Sequence, residues 1–218
     1  MEKVHENLIK VTHYEEWGKL PNPFVFNDGT PLKNPEEWGK RREEIFTTAV
    51  ELQYGTIPPS PEVLEISRLN YNANFPTGYR ITAGTKQQTL SFVMRLFLPE
   101  GDGPFPLVVD GDLCFKGPFH QNFVKTFTDR GIGVVLFDRT ELVPDPANSG
   151  IGRVGPLYEI YPDYTFGSIA AWAWGYSRCV DALEKCNFRD KIDFNYIAFT
   201  GHSRGGKTAM LAGVLDER

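Results

Sequence analysis

The run Tyr196-Ile197-Ala198-Phe199-Thr200 passes directly into Gly201-His202-Ser203-Arg204-Gly205-Gly206 and then into Lys207-Thr208-Ala209-Met210-Leu211-Ala212. A short apolar run with β-branched and aromatic residues, bounded by turn signals, is what a strand buried on both faces requires. The segment rich in Ala, Leu and Met suits a packed helix. A strand that reaches a helix through so few residues must turn sharply, and glycines flanking Ser203 keep such a turn free of side-chain clashes. The sequence therefore predicts strand, G-x-S-x-G turn and helix, with the Ser203 hydroxyl lifted above a sheet. A glycine-rich turn with an incidental serine is the plainer alternative; the strand and helix on either side favour a nucleophile.

The pattern upstream predicts the sheet. Val63-Leu64-Glu65-Ile66, Tyr79-Arg80-Ile81-Thr82 and the run from Leu90 to Leu98 alternate as half-buried antiparallel strands do. The grammar then changes. Pro106 to Asp110 and Gly133 to Asp138 read as continuously apolar buried strands, with helices over Phe119 to Asp129 and Ser168 to Cys186. Buried strands alternating with helices imply parallel βαβ units. The resulting expectation is an α/β chain with the α/β-hydrolase fold, a three-layer α/β/α sandwich. Residues 1–60 are expected to form an N-terminal arm and helix, and residues 61–218 the N-terminal portion of the hydrolase domain. Within the first segment, Asn34-Pro35-Glu36-Glu37 is a capped helix start, Trp38, Ile45, Ala49 and Leu52 recur at helical spacing, and Gly55 with Pro58-Pro59 is the stop. The pair Arg41-Arg42 reads as a solvated or salt-bridged face. The stretch from Arg139 to Phe166, with Tyr158, Tyr161 and Tyr164, is expected to be a long loop that either walls a cleft or packs on the surface.

At 218 residues one domain is the prior, and 41% hydrophobic content is enough for a core. A net charge of −5 argues against a nucleic-acid partner, and no apolar run reaches transmembrane length. The first residues have no signal-peptide layout, which would leave the chain as written in the cytoplasm. Cys114, Cys179 and Cys186 form no disulfide framework. Cys179 and Cys186 share a helical face, but seven residues rise about 10.5 Å, too far for a bond. Buried thiols are expected. His5, His13, His120 and His202 have no metal-ligand spacing with these cysteines, so neither a metal nor another cofactor is expected.

Gly201-His202-Ser203-Arg204-Gly205-Gly206-Lys207 resembles the G-x-S-R-x-G-K elbow of glucuronoyl methylesterases, the carbohydrate esterases of family fifteen. The stretch Phe166 to Arg178, with Trp172 and Trp174, resembles the tryptophan-bearing helix of bacterial members. Trp38 to Ile45, followed by Tyr54-Gly55 and Pro58-Pro59, resembles their N-terminal helix. The resemblance implies hydrolysis of esters that join 4-O-methylglucuronic acid on xylan to lignin alcohols, and secretion or export to the periplasm. It implies Ser203 as nucleophile, Arg204 as oxyanion stabiliser through its backbone N–H and guanidinium, and Lys207 as a contact to sugar hydroxyls. Taken alone, Lys207 would read as a surface lysine.

Such a fold supplies its triad in the order serine, acid, histidine. Fifteen residues follow Ser203, so the acid and the histidine are expected beyond residue 218, as in a C-terminally truncated chain. His202 adjoins Ser203 and points elsewhere. His120 is either a remote base or a residue of the cleft wall. Asp216 and Glu217 lie about 20 Å along the helix from Ser203, too far to orient a base. Acetyl-xylan or dienelactone-type hydrolysis is the alternative within the fold. A non-catalytic carbohydrate-binding or interaction protein is the alternative outside it.

Overall fold

The computed structural model describes residues 21–69, 77–115, 118–146 and 152–218. His5 and His13 lie outside them, and of His120 only its place in a helix is described. The chain divides into two compact units, residues 1–55 and 56–218.

In the first unit Asn34 caps the helix start, its side chain accepting from Glu37 N at 3.2 Å, and the Glu37 carboxylate accepts from Lys33 N at 2.8 Å. A 3₁₀ turn at Pro35–Glu37 leads into α1, Trp38–Phe46, then into a π-helical turn at Thr47–Glu51 and the short α2, Leu52–Tyr54. Gly55, at φ +81°, ends it. Arg41 is buried and salt-bridged to Glu44 rather than solvated. Its guanidinium donates to Asn27 Oδ1 at 2.8 Å, to Glu44 Oε2 at 2.9 Å and to the Pro23 carbonyl at 3.3 Å. That fork fastens the segment before α1 to the helix, because five planar donors let one side chain bridge three partners.

The second unit is a six-stranded sheet in the order β1-β2-β3-β5-β4-β6. Strands β1 (Val63–Leu69), β2 (Thr77–Gly84) and β3 (Thr89–Phe97) form an antiparallel meander. Strand β3 pairs antiparallel with β5 (Gly133–Phe137), and β4 (Phe105–Asp110) runs parallel to both β5 and β6 (Ile192–Thr200). In β3 buried and exposed residues alternate, whereas all five residues of β5 are buried. Helix α3, Pro118–Thr128, covers one face by packing Phe123, Val124 and Phe127 against Val108, Val134 and Leu136. Helix α5, Ser168–Lys185, covers the other, and α6, Arg204–Leu215, packs beside it.

Between β5 and α5 the structure corrects the expectation of a plain loop. A 3₁₀ turn at Arg139–Glu141 and the helix α4, Pro156–Ile160, lie there. Tyr158 stacks on Phe166 and Tyr161 meets the edge of Trp174, both tyrosines being buried, while Tyr161 and the half-buried Tyr164 also line a cavity with Pro59, Glu62 and Thr85. The thiols are corrected too: all three are free, but only Cys179 is fully buried, and Cys186 caps α5 from outside it. At the far edge of the sheet β6 leaves Tyr196 69% exposed.

The chain leaves β4 toward β5 on one side and returns past it to β6 on the other. Sheets of this kind leave a crevice at the carboxyl ends of the strands where the order reverses. Tyr176 on α5 closes the sheet beneath that crevice. Its hydroxyl accepts from Gly111 N and donates to the Thr200 carbonyl, both at 2.9 Å, so it ties the ends of β4 and β6 together. Tyr176→Phe leaves a buried donor and a carbonyl unpaired, and a loss of about 1–3 kcal/mol is expected in urea unfolding. A loss under about 0.5 kcal/mol would contradict that role.

Candidate active site

Strand β6 ends at Thr200 and α6 begins at Arg204, so three residues carry the turn. Ser203 sits at φ +55° and ψ −113°, a region that L-residues avoid. The two glycines of the motif have separate reasons. A Cβ on Gly201 would lie 2.5 Å from the backbone of Gly205, and a Cβ on Gly205 would overlap the carboxylate of Asp112. The turn is thus as tight as sequence reasoning required, and a side chain from another strand presses on it.

Asp112 follows β4 and was not singled out in the sequence. Its Oδ2 accepts from His202 N at 2.5 Å, while its Oδ1 pairs with Arg139 Nη1. Its own N–H donates to Asp110 Oδ1 at 2.6 Å. Arg139 is 1% exposed and lies over the rings of Trp172 at 4.7 Å and Phe115 at 5.4 Å. Bonds from Arg139 N to the Gly111 carbonyl, 3.1 Å, and from Leu113 N to the Phe137 carbonyl, 3.2 Å, hold the loops after β4 and β5 together. A buried carboxylate thereby anchors the backbone immediately before Ser203. Removing one partner of such a pair would leave an uncompensated buried charge.

On the other side of Ser203, Arg204 opens α6. Its guanidinium pairs with Asp145 on the loop after β5; Arg204 is 44% exposed and Asp145 only 8%. Lys207 is exposed in the first turn, its N–H on the Ser203 carbonyl at 3.2 Å. The helix therefore begins at Arg204, three residues before the predicted Lys207 start. His202 is exposed beside the serine. Asp216 lies just past the far end of α6, bonded to Arg218. Ser203, Arg204 and Lys207 lie together, exposed, on the elbow and the first turn of α6; His120 is not placed with them by any described contact.

Burial pushes the Asp110 carboxyl up to about 6, against the pull of Arg139. Burial likewise raises the Tyr176 phenol and draws Arg139 down from the usual arginine range. Cys114, on the same loop as Asp112, is pushed up to about 11 by burial, so it is an inert thiol at neutral pH.

A nucleophile-type elbow at the carboxyl end of a parallel strand, on a mixed sheet covered by helices on both faces, defines the α/β-hydrolase class. The family model described as "Glucuronyl esterase, fungi" matches residues 81–218. The chain belongs to the glucuronyl esterase family. It is 31% identical over 205 residues to the 4-O-methyl-glucuronoyl methylesterase of Phanerochaete carnosa, covering 92% of this chain and 47% of that protein. It is 32% identical over 206 residues to 4-O-methyl-glucuronoyl methylesterase 1 of Wolfiporia cocos, with the same coverage on both sides. Among solved structures, a carbohydrate esterase family 15 glucuronoyl esterase from Caldicellulosiruptor kristjansonii superposes with a TM-score of 0.70 at 27% identity, covering 91% of this chain and 53% of that one. A glucuronoyl esterase from Sporotrichum thermophile gives 0.70 at 28% identity, with 90% and 50% covered. The chain spans about half the length of the curated relatives it matches.

The raised Asp110 makes a pH prediction whose sign follows from linkage. The folded state binds this proton more tightly than the unfolded chain, whose value is near the ordinary 3.8. The group's favourable contribution is therefore complete below about pH 4 and lost as pH rises through about 6. Asp110→Asn, which keeps an acceptor for Asp112 N, should be more stable than the parent at pH 8 by about 1–3 kcal/mol. The gain should vanish toward pH 4. Urea midpoints at both pH values check it; a variant less stable at pH 8 would mean that Asp110 is held charged by Arg139 and the Asp112 N–H.

Proposed function

We propose that Ser203 is the nucleophile of a carboxylic-ester hydrolase that acts on esters of 4-O-methylglucuronic acid, as found where xylan is esterified to lignin alcohols. The observation that carries this reading is the backbone of Ser203. A non-glycine residue at φ +55° is a costly conformation, about 1–3 kcal/mol, retained where surrounding structure enforces it. Here it lifts a serine hydroxyl above the crevice where the strand order reverses.

The chemistry follows from that placement. A general base removes the Ser203 proton as Oγ attacks the ester carbonyl carbon, since serine is a weak nucleophile until deprotonated. The carbonyl oxygen becomes an oxyanion beside the first N–H groups of α6, where the helix dipole favours negative charge. Arg204 adds its N–H and its cationic fork. Collapse of the tetrahedral intermediate expels the alcohol and leaves an acyl-serine; water, activated in the same way, releases the uronic acid. Lys207, one turn along the same helix, supplies a second cation at hydrogen-bonding reach of sugar hydroxyls. A uronic ester has more use for two cations than a neutral acetyl ester.

The comparisons support this substrate class. Relatives carry the name 4-O-methyl-glucuronoyl methylesterase. A serine-to-alanine variant of the Sporotrichum thermophile enzyme was solved in complex with methyl 4-O-methyl-β-D-glucopyranuronate, and it superposes on this chain with a TM-score of 0.67 at 27% identity. The family's triad pattern supplies the base as a histidine oriented by an acid, and none of this chain's histidines is assigned that role.

In the full gene product that contains this chain, Ser203→Ala should lower turnover of benzyl glucuronate by about 10³-fold or more. Hydrolysis near the parent rate would reject Ser203 as nucleophile.

A further inference from the structure

Both residues that flank Ser203 are held by buried carboxylates, and one of these pairs with Arg139. The His202 amide donates to Asp112, Asp112 pairs with Arg139, and Arg204 pairs with Asp145. Asp145 also acts on Arg139 through space, opposing the effect of burial on that guanidinium, whereas Arg204 reinforces it. The charges thus alternate in the order Asp112, Arg139, Asp145, Arg204 around the elbow. Arg139 is buried and lies over the rings of Trp172 and Phe115. Asp145 is only 8% exposed. The outermost member, Arg204, is the solvent-accessible one, at 44% exposure.

We infer that Asp145 is a positioning residue for the reaction: it fixes the Arg204 guanidinium beside Ser203 before substrate arrives. The inference rests on Ser203 being the nucleophile and on Arg204 serving the oxyanion. A free arginine side chain samples many rotamers, and ordering it would add an entropic cost at the transition state. An arginine already tied by one Nη to a buried carboxylate has lost that freedom in the resting protein. Its remaining donors keep a fixed geometry, which is what electrostatic stabilisation of a developing charge requires. The pairing also holds a cation in a half-exposed site without letting it fold back onto solvent.

The alternative role for Asp145 is purely structural, tying the loop after β5 to α6. The two roles differ in what they move. A structural tie changes stability and affects binding and turnover alike; a positioning tie changes turnover at constant KM and changes the order of one side chain.

The test uses the full gene product with Asp145→Asn, Asp145→Glu and Ser203→Ala, assayed on benzyl glucuronate, with ¹⁵N relaxation at Arg204 Nε as a readout independent of activity. In Asp145→Asn, kcat should fall about 10- to 100-fold with KM within about threefold of the parent, and Arg204 Nε should become mobile. Asp145→Glu, which keeps the charge on a longer arm, should recover part of kcat. Parent-like or higher kcat in Asp145→Asn overturns the inference, as does an Arg204 Nε that stays ordered. Should Asp145→Asn fail to fold, Asp145→Glu decides: a kcat reduced severalfold at unchanged KM supports positioning, and an unchanged kcat overturns it. Full activity in Ser203→Ala would instead reject the nucleophile reading, leaving the relaxation measurement to judge the Arg204 restraint alone.

Discussion

The carboxylate of Asp112 is the point on which the elbow depends. One oxygen accepts from the His202 amide and the other forms a buried ion pair with Arg139. Its position is also why residue 205 has to be glycine, since any Cβ there would occupy the same space. A strained serine persists only where its surroundings over-determine the backbone. Here the restraint comes from a separate strand, through a charge-assisted hydrogen bond of a kind roughly twice as strong as a neutral one. The cost of burying both ions is opposed by their mutual attraction, by ring contacts to Arg139 and by the His202 amide.

The rest of the domain brings that carboxylate to the turn. Three parallel strands in register place Asp110 opposite Thr200, so the loop after β4 and the elbow after β6 emerge side by side. Tyr176 joins the two strand ends from below, and the tryptophans of α5 fix the flanking segments, Trp172 through the Val143 carbonyl and Trp174 through the Pro59 carbonyl, at 2.9 and 2.8 Å. The helix that resembles the family's tryptophan-bearing segment therefore supports the site without standing in it. It holds the loop that carries Asp145 and the sheet that carries Asp112.

What could be read from the sequence was the part written in local pattern. The strand, turn and helix around Ser203 are contiguous, and each has its own signal, so the elbow was legible before the fold was known. The change from alternating to continuously apolar strands announced the passage from antiparallel to parallel pairing, as β3 and β5 show. The helix cap at Asn34 was equally local. The supporting charges were not legible, because Asp112, Arg139 and Asp145 are ordinary residues far apart in the chain and become a set only when β4, β5 and β6 align. Tyr176 carried no signal beyond lying on a buried helix. The segment from Arg139 to Phe166 reads as a plain loop because its proline and glycine content masks α4, a helix of five residues that begins at Pro156.

Everything proposed for this site depends on the elbow making Ser203 a reactive nucleophile. Covalent capture tests it most directly. The full gene product that contains this chain is treated with a fluorophosphonate, digested, and the modified peptide sequenced by mass spectrometry. The account predicts one stoichiometric adduct, on Ser203, formed at the rate at which ester hydrolysis is lost. An adduct on any other residue, or loss of hydrolysis with Ser203 unmodified, would contradict it.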